Sequence, residues 1–223
     1  MWLTNSSVGR KVVMSVTGLF LVLFVTFHAL MNAVALISFD AYDAICEFLG
    51  ANWYAVLGTL ILAGGFAIHI IYAFWLTLQN RKARGNNRYN VTSKPKEVEW
   101  ASQNMLVLGI IVALGLCLHL FNFWSKMQLQ ELLGTQSSIA APTDGAAFIE
   151  YTFSKWYYVL AYIVWLAALW FHLSHGFWSA LQTLGWNGKT WQCRWQVIGN
   201  IYVTLLVLGF VAVVLTFYFK SLC

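Results

Sequence analysis

In the charge-free stretch YIVWLAALWFHLSHGFWSALQTLG, residues 162–185, stand two histidines, His172 and His175. An imidazole in hydrocarbon is costly unless a hydrogen bond or a metal satisfies it. The chain has five histidines, and the other three, His28, His69 and His119, lie in equally apolar runs. Imidazole is a metal ligand, a proton carrier or a hydrogen-bonding helix contact. Which of these applies depends on how the runs bring the histidines together.

The runs themselves are membrane-like. The 223 residues are 60% hydrophobic and only 9% charged, against about a quarter charged in ordinary soluble domains. Five stretches lack charge: Val12 to Phe39, Phe48 to Asn80, Trp100 to Ser125, Trp156 to Gly188 and Trp195 to Phe219. Each reaches the roughly 20 residues a helix needs to cross the bilayer core. An all-α membrane protein is expected, a single domain over residues 1–223 with transmembrane helices near 12–39, 53–80, 100–125, 155–184 and 195–219. The first run is too long for a secretory h-region and no A-x-A-like site closes it, so it is read as a retained helix. No appended soluble domain and no inverted repeat is read.

With five spans, one side holds Arg10, Lys11, Arg81, Lys82, Arg84, Arg88, Lys94, Lys96, Lys189 and Arg194, and the other only Lys126, Lys155 and Lys220. Asp40, Asp43, Glu47, Glu131, Asp144 and Glu150 fall on the lysine-poor side. Ten cations against three place the N-terminus in the cytoplasm of a multi-pass protein of the plasma (inner) membrane. The net charge of +5 then describes a cytoplasmic rim suited to a partner protein or anionic lipid, with no need of nucleic acid. The loop DAYDAICEFLGANW reads as short and acidic, the loop from Arg81 to Glu99 as a basic connector, and MQLQELLG as an amphipathic turn on the membrane surface. LGWNGKTWQCRW reads as a tight turn with interfacial anchors. Cys46, Cys117, Cys193 and Cys223 form no CxxC; a Cys46–Cys223 disulfide is conceivable, with isolated thiols the expected state.

Depth sorts the histidines. At 1.5 Å per residue, His28 lies roughly 24 Å and His119 roughly 28 Å from the inner boundary, His69 roughly 16 Å and His172 roughly 18 Å. Two layers, on the order of 10 Å apart, each hold one histidine from each of two helices. Two bis-histidine haems need that arrangement, and such six-coordinate iron carries electrons without binding oxygen. Gly18, Gly64, Gly65, Gly109, Gly115 and Gly176 would let a macrocycle approach the helices. Without CxxCH the haems are b-type. The boxes of membrane di-iron enzymes are missing. His175 points roughly 60° away from His172, and could replace it as ligand, hydrogen-bond a propionate or quinone, or contact a neighbouring helix.

The segments FHALMN, AIHIIYAFW, CLHLFNFW and WFHLSHGFWSALQTLG, in this order and spacing, resemble the five-helix, two-haem cytochrome b subunit of succinate:quinone oxidoreductases, the complex II family of succinate dehydrogenase and quinol:fumarate reductase. The resemblance spans nearly the whole chain. It implies that His28 and His119 ligate the distal haem iron, and His69 and His172 the proximal one, with Gly176 marking His172 as the helix-four ligand. It implies a flavoprotein subunit with covalent FAD and an iron–sulfur subunit on the cytoplasmic side, where succinate and fumarate are interconverted. This chain would pass electrons between their clusters and a membrane quinone, menaquinone in the main, and a dimer of the complex is open. A quinone near the distal haem makes Glu47 the candidate for proton transfer, with Asn32 as a hydrogen-bonding neighbour. Ser15, Arg81, Lys82 and Gln182 stand at heights suited to the propionates of the inner haem. Some relatives carry an acid two residues before the helix-four ligand; here that position is Trp170. A cytochrome b anchor of a hydrogenase or formate dehydrogenase, or a haem-free transporter or scaffold, are the competing readings.

Overall fold

The computed structural model describes residues 6–84, 100–186 and 188–223, and among these there is helix and turn but no strand. Helix α1 is Ser7–Val34, α2 Phe39–Phe48, α3 Trp53–Arg84, α4 Trp100–Gln103 and α5 Met105–His119, which runs into a π-helical turn, Leu120–Trp124. Then follow α6 Gln128–Leu132, α7 Gly145–Phe153, α8 Trp156–Thr183 and α9 Lys189–Lys220. Five segments are long and apolar enough to cross a membrane: Ser7–Val34, Trp53–Ala83, Met105–Trp124, Trp156–Thr183 and Lys189–Lys220. The expected five-span architecture is present. The basic stretch 85–99, with Arg88, Lys94 and Lys96, lies outside the described residues.

Helix ends follow local chemistry more than hydropathy, and the expected boundaries shift accordingly. The first helix starts at Ser7, before the charged Arg10 and Lys11, because the Ser6 hydroxyl accepts the Gly9 N–H at 2.9 Å. It stops at Val34, and the acidic segment expected as a loop is itself helical: Ser38 caps α2 by accepting the Ala41 N–H. The third expected span is broken at Asn104, whose side-chain amide donates back to the Trp100 carbonyl at 2.9 Å. The fifth begins at Lys189, six positions before Trp195, in the tight turn expected to precede it. That turn opens at Gly185, whose φ of 84° ends α8; its N–H reaches the Gln182 carbonyl while Trp186 N–H reaches Leu181. MQLQELLG supplies α6, closed by Gly134 at φ 64°.

Helix α8 is the hub. It packs on α9, α1 and α5, while α1 also lies along α3 and α9. A sparser contact between α3 and α5 closes a four-sided ring of α1, α3, α5 and α8, with α9 bracing it from outside. The core concentrates where α8 and α9 meet, at Val203, Leu206, Val213, Phe217, Leu166 and Leu169. By contrast, no residue in the apolar stretch of α3 is buried within the chain, and Leu57, Leu60 and Ile71 stand exposed. Such surface suits hydrocarbon rather than water. The loop-borne α7 is seated by two carboxylates: Asp144 accepts the Ala147 N–H and Asp43 of α2 the Ala146 N–H at 2.8 Å.

Candidate functional site: two histidine pairs inside the bundle

The diagonals of the four-helix ring, α1 to α5 and α3 to α8, make no extended packing contact. Each is spanned by two imidazoles. His28 of α1 faces His119 of α5 with ring centroids 5.7 Å apart and planes at 85°. His69 of α3 faces His172 of α8 at 6.4 Å and 73°. These are the pairs that the depth of each histidine predicts. Helices that pack along the sides point their inner faces at the bundle axis, so residues on opposite helices can meet there.

The layers can be placed on two helices at once. In α1, Gly18 lies against His69, where a Cβ would stand 3.3 Å from its Cε1. His28 follows ten residues later. In α5, Gly109 lies against His172 at 3.7 Å, and His119 again follows ten residues later. Ten residues rise roughly 15 Å, wider than the spacing expected from helix ends. They also turn the helix by about 80° short of three full turns, which switches its inward residue from one diagonal to the other.

The two pockets differ in character. Around His28 and His119 the walls are aromatic: Phe24 stacks on His28 at 5.5 Å, and Phe123, Trp165 and Tyr162 ring His119. Trp165 lies on Gly115, where a Cβ would come within 2.0 Å of its indole, and donates to the Val112 carbonyl at 3.0 Å. Around His69 and His172 there are polar neighbours. The Thr17 hydroxyl lies 2.9 Å from the Val13 carbonyl and 3.2 Å from His69 Nδ1; with its proton on the Val13 carbonyl, its oxygen accepts the Nδ1–H. That orients the ring and leaves Nε2 with its lone pair. His172 Nδ1 is buried with no hydrogen-bond partner among the described residues.

The remaining expected residues disperse. His175 packs edge-on to Trp178 at 5.0 Å and belongs to neither pair. Asn32 donates to the His28 carbonyl at 2.8 Å and accepts from the Tyr42 hydroxyl, tying α1 to α2. Glu47 is exposed in an open acidic hollow with Asp40, Asp43 and Asp144, and shares no hydrogen bond with Asn32. Of the expected anion donors, Ser15 is buried, whereas Arg81, Lys82 and Gln182 are exposed. Sequence reading counts Arg10 only among the cations of the N-terminal side. Its guanidinium lies 5.1 Å over the Trp75 ring of α3, with Nε buried and without a partner among the described residues. Trp170 donates to Thr204 of α9 at 2.9 Å, a brace between helices. Thr17, too, went unread, although it adjoins Gly18.

Among the described residues no cluster of three or more histidine, cysteine, aspartate or glutamate side chains could hold a metal on protein ligands alone. Each pair offers two nitrogens, so it would suit only a group that brings its remaining ligands with it. An iron held between two such nitrogens, at about 2 Å each, would set the imidazole centroids roughly 6 Å apart. The observed 5.7 and 6.4 Å bracket that value. Compared with family models, with curated proteins and with solved structures, the chain matches none.

Proposed function

We propose that the chain is a two-haem cytochrome b that carries electrons through a membrane between a quinone and soluble redox subunits, as the anchor of a succinate:quinone oxidoreductase or quinol:fumarate reductase. The observation behind it is the pair of diagonals, each bridged by two imidazoles at a separation that suits one iron. His28 and His119 would hold the haem farther from the N-terminal face, and His69 and His172 the nearer one. Bound there, haem would supply a one-electron iron couple, held by these four imidazoles.

The chain's own groups do the rest. Thr17 holds His69 in the tautomer that presents Nε2. Gly18 and Gly109 keep the walls beside the inner pair free of side chains. Ser15 and Arg10, at the N-terminal end of α1, are the donors available to propionates there. Aromatic rings keep water from the outer pair. Two layers in series lead electrons from one face of the membrane toward the other. The basic N-terminal side offers a docking surface for acidic partners, a flavoprotein and an iron–sulfur subunit on the succinate reading. Quinone reduction takes two electrons and two protons, and menaquinone is the favoured species.

A pyridine haemochrome assay on the purified chain should give two haems b, and His119→Ala or His69→Ala should leave one. A folded chain without haem overturns the reading. Covalent flavin in a co-purified subunit supports the succinate or fumarate enzyme; its absence beside a hydrogenase or formate dehydrogenase subunit would move the chain to that class.

A further inference from the structure

Lys126, Lys155 and Lys220 stand on the side opposite the N-terminus, and the fold treats them differently. Lys220 is neutralised, its ammonium 3.3 Å from Glu150. Lys126 and Lys155 have no carboxylate partner among the described residues. They converge on one ring instead: the Lys155 ammonium lies 3.2 Å from the centre of Tyr151, and the Lys126 ammonium 5.6 Å from it. A ring face attracts a cation without cancelling its charge. Both lysines are half-buried, with stems packed on the protein and heads left at the surface. The acids of this side gather elsewhere. Asp40, Asp43, Glu47 and Asp144 line one hollow beside α2, and the Glu131 carboxylate lies on Gly50. A local positive charge is therefore left over.

An apolar groove leads up to that charge. It runs between α5 and α8, with Leu114 and Leu118 on one wall and Tyr157, Leu160 and Val164 on the other. Gly115 and Ala161 also line it and, having almost no side chain, give it depth. Leu114, Leu160 and Val164 are more than half exposed, so the groove opens on a face that suits hydrocarbon. Each wall ends at a lysine. On α8, Tyr157 stands two residues after Lys155 and leans on Tyr158 at 4.8 Å, a ring the Lys155 ammonium meets at 6.0 Å. On α5, exposed Phe121 lies three residues past Leu118, and the Lys126 ammonium sits 5.4 Å over its ring. The stretch from Val164 to Tyr157 rises about 10 Å. Hydrocarbon can lie along it while the ammoniums stand beyond its end, among the tyrosines typical of a membrane–water boundary.

The order of these parts defines the ligand. A free phosphate or a soluble acid has nothing to lay in the groove, and a zwitterionic lipid brings a third ammonium to two others. A lysine holds phosphate as a point charge, and two of them suit a single anionic headgroup. We propose that the α5–α8 groove and the Lys126–Lys155 pair bind one anionic glycerophospholipid of the leaflet opposite the N-terminal side, with an acyl chain in the groove and the phosphate at the two ammoniums. The site needs no haem. Trp165 lines the groove and lies 5.8 Å from His119, so the seated chain packs on a ring that walls the outer histidine pair.

The test places the full chain in phosphatidylcholine vesicles with a trace of phosphatidylglycerol carrying a photoactivatable diazirine in its tail, and maps the labelled residues by mass spectrometry. Labelling should concentrate on residues 111–118 and 157–165. Lys126→Gln and Lys155→Gln should each lower it there about fivefold, the worth of one lysine beside an anionic lipid, and the double variant roughly 25-fold. Diazirine-tailed phosphatidylcholine should label the groove weakly and equally in all of these chains. Ala161→Phe should block the groove to both lipids. Labelling along α3, which contributes nothing to the groove, should stay constant and shows that each variant is folded. Equal groove labelling by the two lipids overturns the proposal, as does a preference for phosphatidylglycerol that survives the double variant. Groove labelling unaffected by Ala161→Phe overturns it too, since the acyl chain then lies elsewhere.

Discussion

At the scale of single residues, the polar contacts around the imidazoles separate the two layers. Thr17 meets His69, whereas among the described residues His28 and His119 meet only rings and each other. Thr17→Val should weaken haem binding in the His69–His172 layer about 10- to 100-fold, as loss of an outer-shell partner usually does. Titrating haem into the apo-chain should show one weakened site and one unchanged. Cys46 makes a second residue-scale case. Burial, with Asp43 and Asp144 adding to it, pushes its thiol from 9.0 up to about 11, against a smaller downward pull from Tyr42. A thiol that stays protonated in the fold but ionises when unfolded contributes stability below pH 9 and loses it as pH rises through 11. Iodoacetamide at pH 8.5 should therefore modify exposed Cys223 far faster than Cys46, and alkaline pH should destabilise the region around α2. The four cysteines are free, as isolated thiols should be.

Among the elements, α5 depends most on a single small residue. Trp165 of α8 lies over Gly115 and anchors on the Val112 carbonyl, so indole fills the space a side chain would take. Gly115→Ala should cost about 1–3 kcal/mol through overpacking. Thermal unfolding in detergent measures the loss, and the displaced indole should change the tryptophan emission. Gly18 acts differently, since its Cβ would meet the flat edge of His69 at 3.3 Å and press on the ring itself. Gly18→Leu should remove haem from the His69–His172 layer while the other stays. The π turn after His119 was not legible beforehand. LFNFW contains no proline or glycine to mark it. It carries Asn122 to the Tyr162 hydroxyl across the α5–α8 seam, a contact far apart in sequence.

For the whole molecule, the placement of cysteines lets orientation be measured. Cys193 lies near the start of α9 and Cys223 at its far end, both exposed, while Cys117 falls within the apolar α5. If the cation-rich side is cytoplasmic, a membrane-impermeant maleimide added to intact cells should label Cys223 and spare Cys193 until the membrane is opened. Labelling of Cys193 alone would invert the topology and, with it, the side on which soluble subunits dock. The same asymmetry governs the proposed circuit, since the His69–His172 layer lies nearer the N-terminal face and the His28–His119 layer farther from it.

The residues alone determined the number of spans, the helical class and the pairing of histidines, because hydropathy and a rise of 1.5 Å per residue both act along the chain. They could not determine helix ends set by caps, such as Ser6 and Ser38, or the conversion of an acidic loop into α2. Nor could they give the surroundings of the polar groups. Arg81, Lys82 and Gln182 have suitable heights but face outward, and Asn32 is occupied by the backbone of His28 and by Tyr42. Height is one coordinate of a membrane helix, and azimuth is the other. Azimuth follows from which helices pack side by side, and only the folded bundle supplies that: it makes α1–α5 and α3–α8 the diagonals, turns Asn122 inward, and brings Arg10 over Trp75.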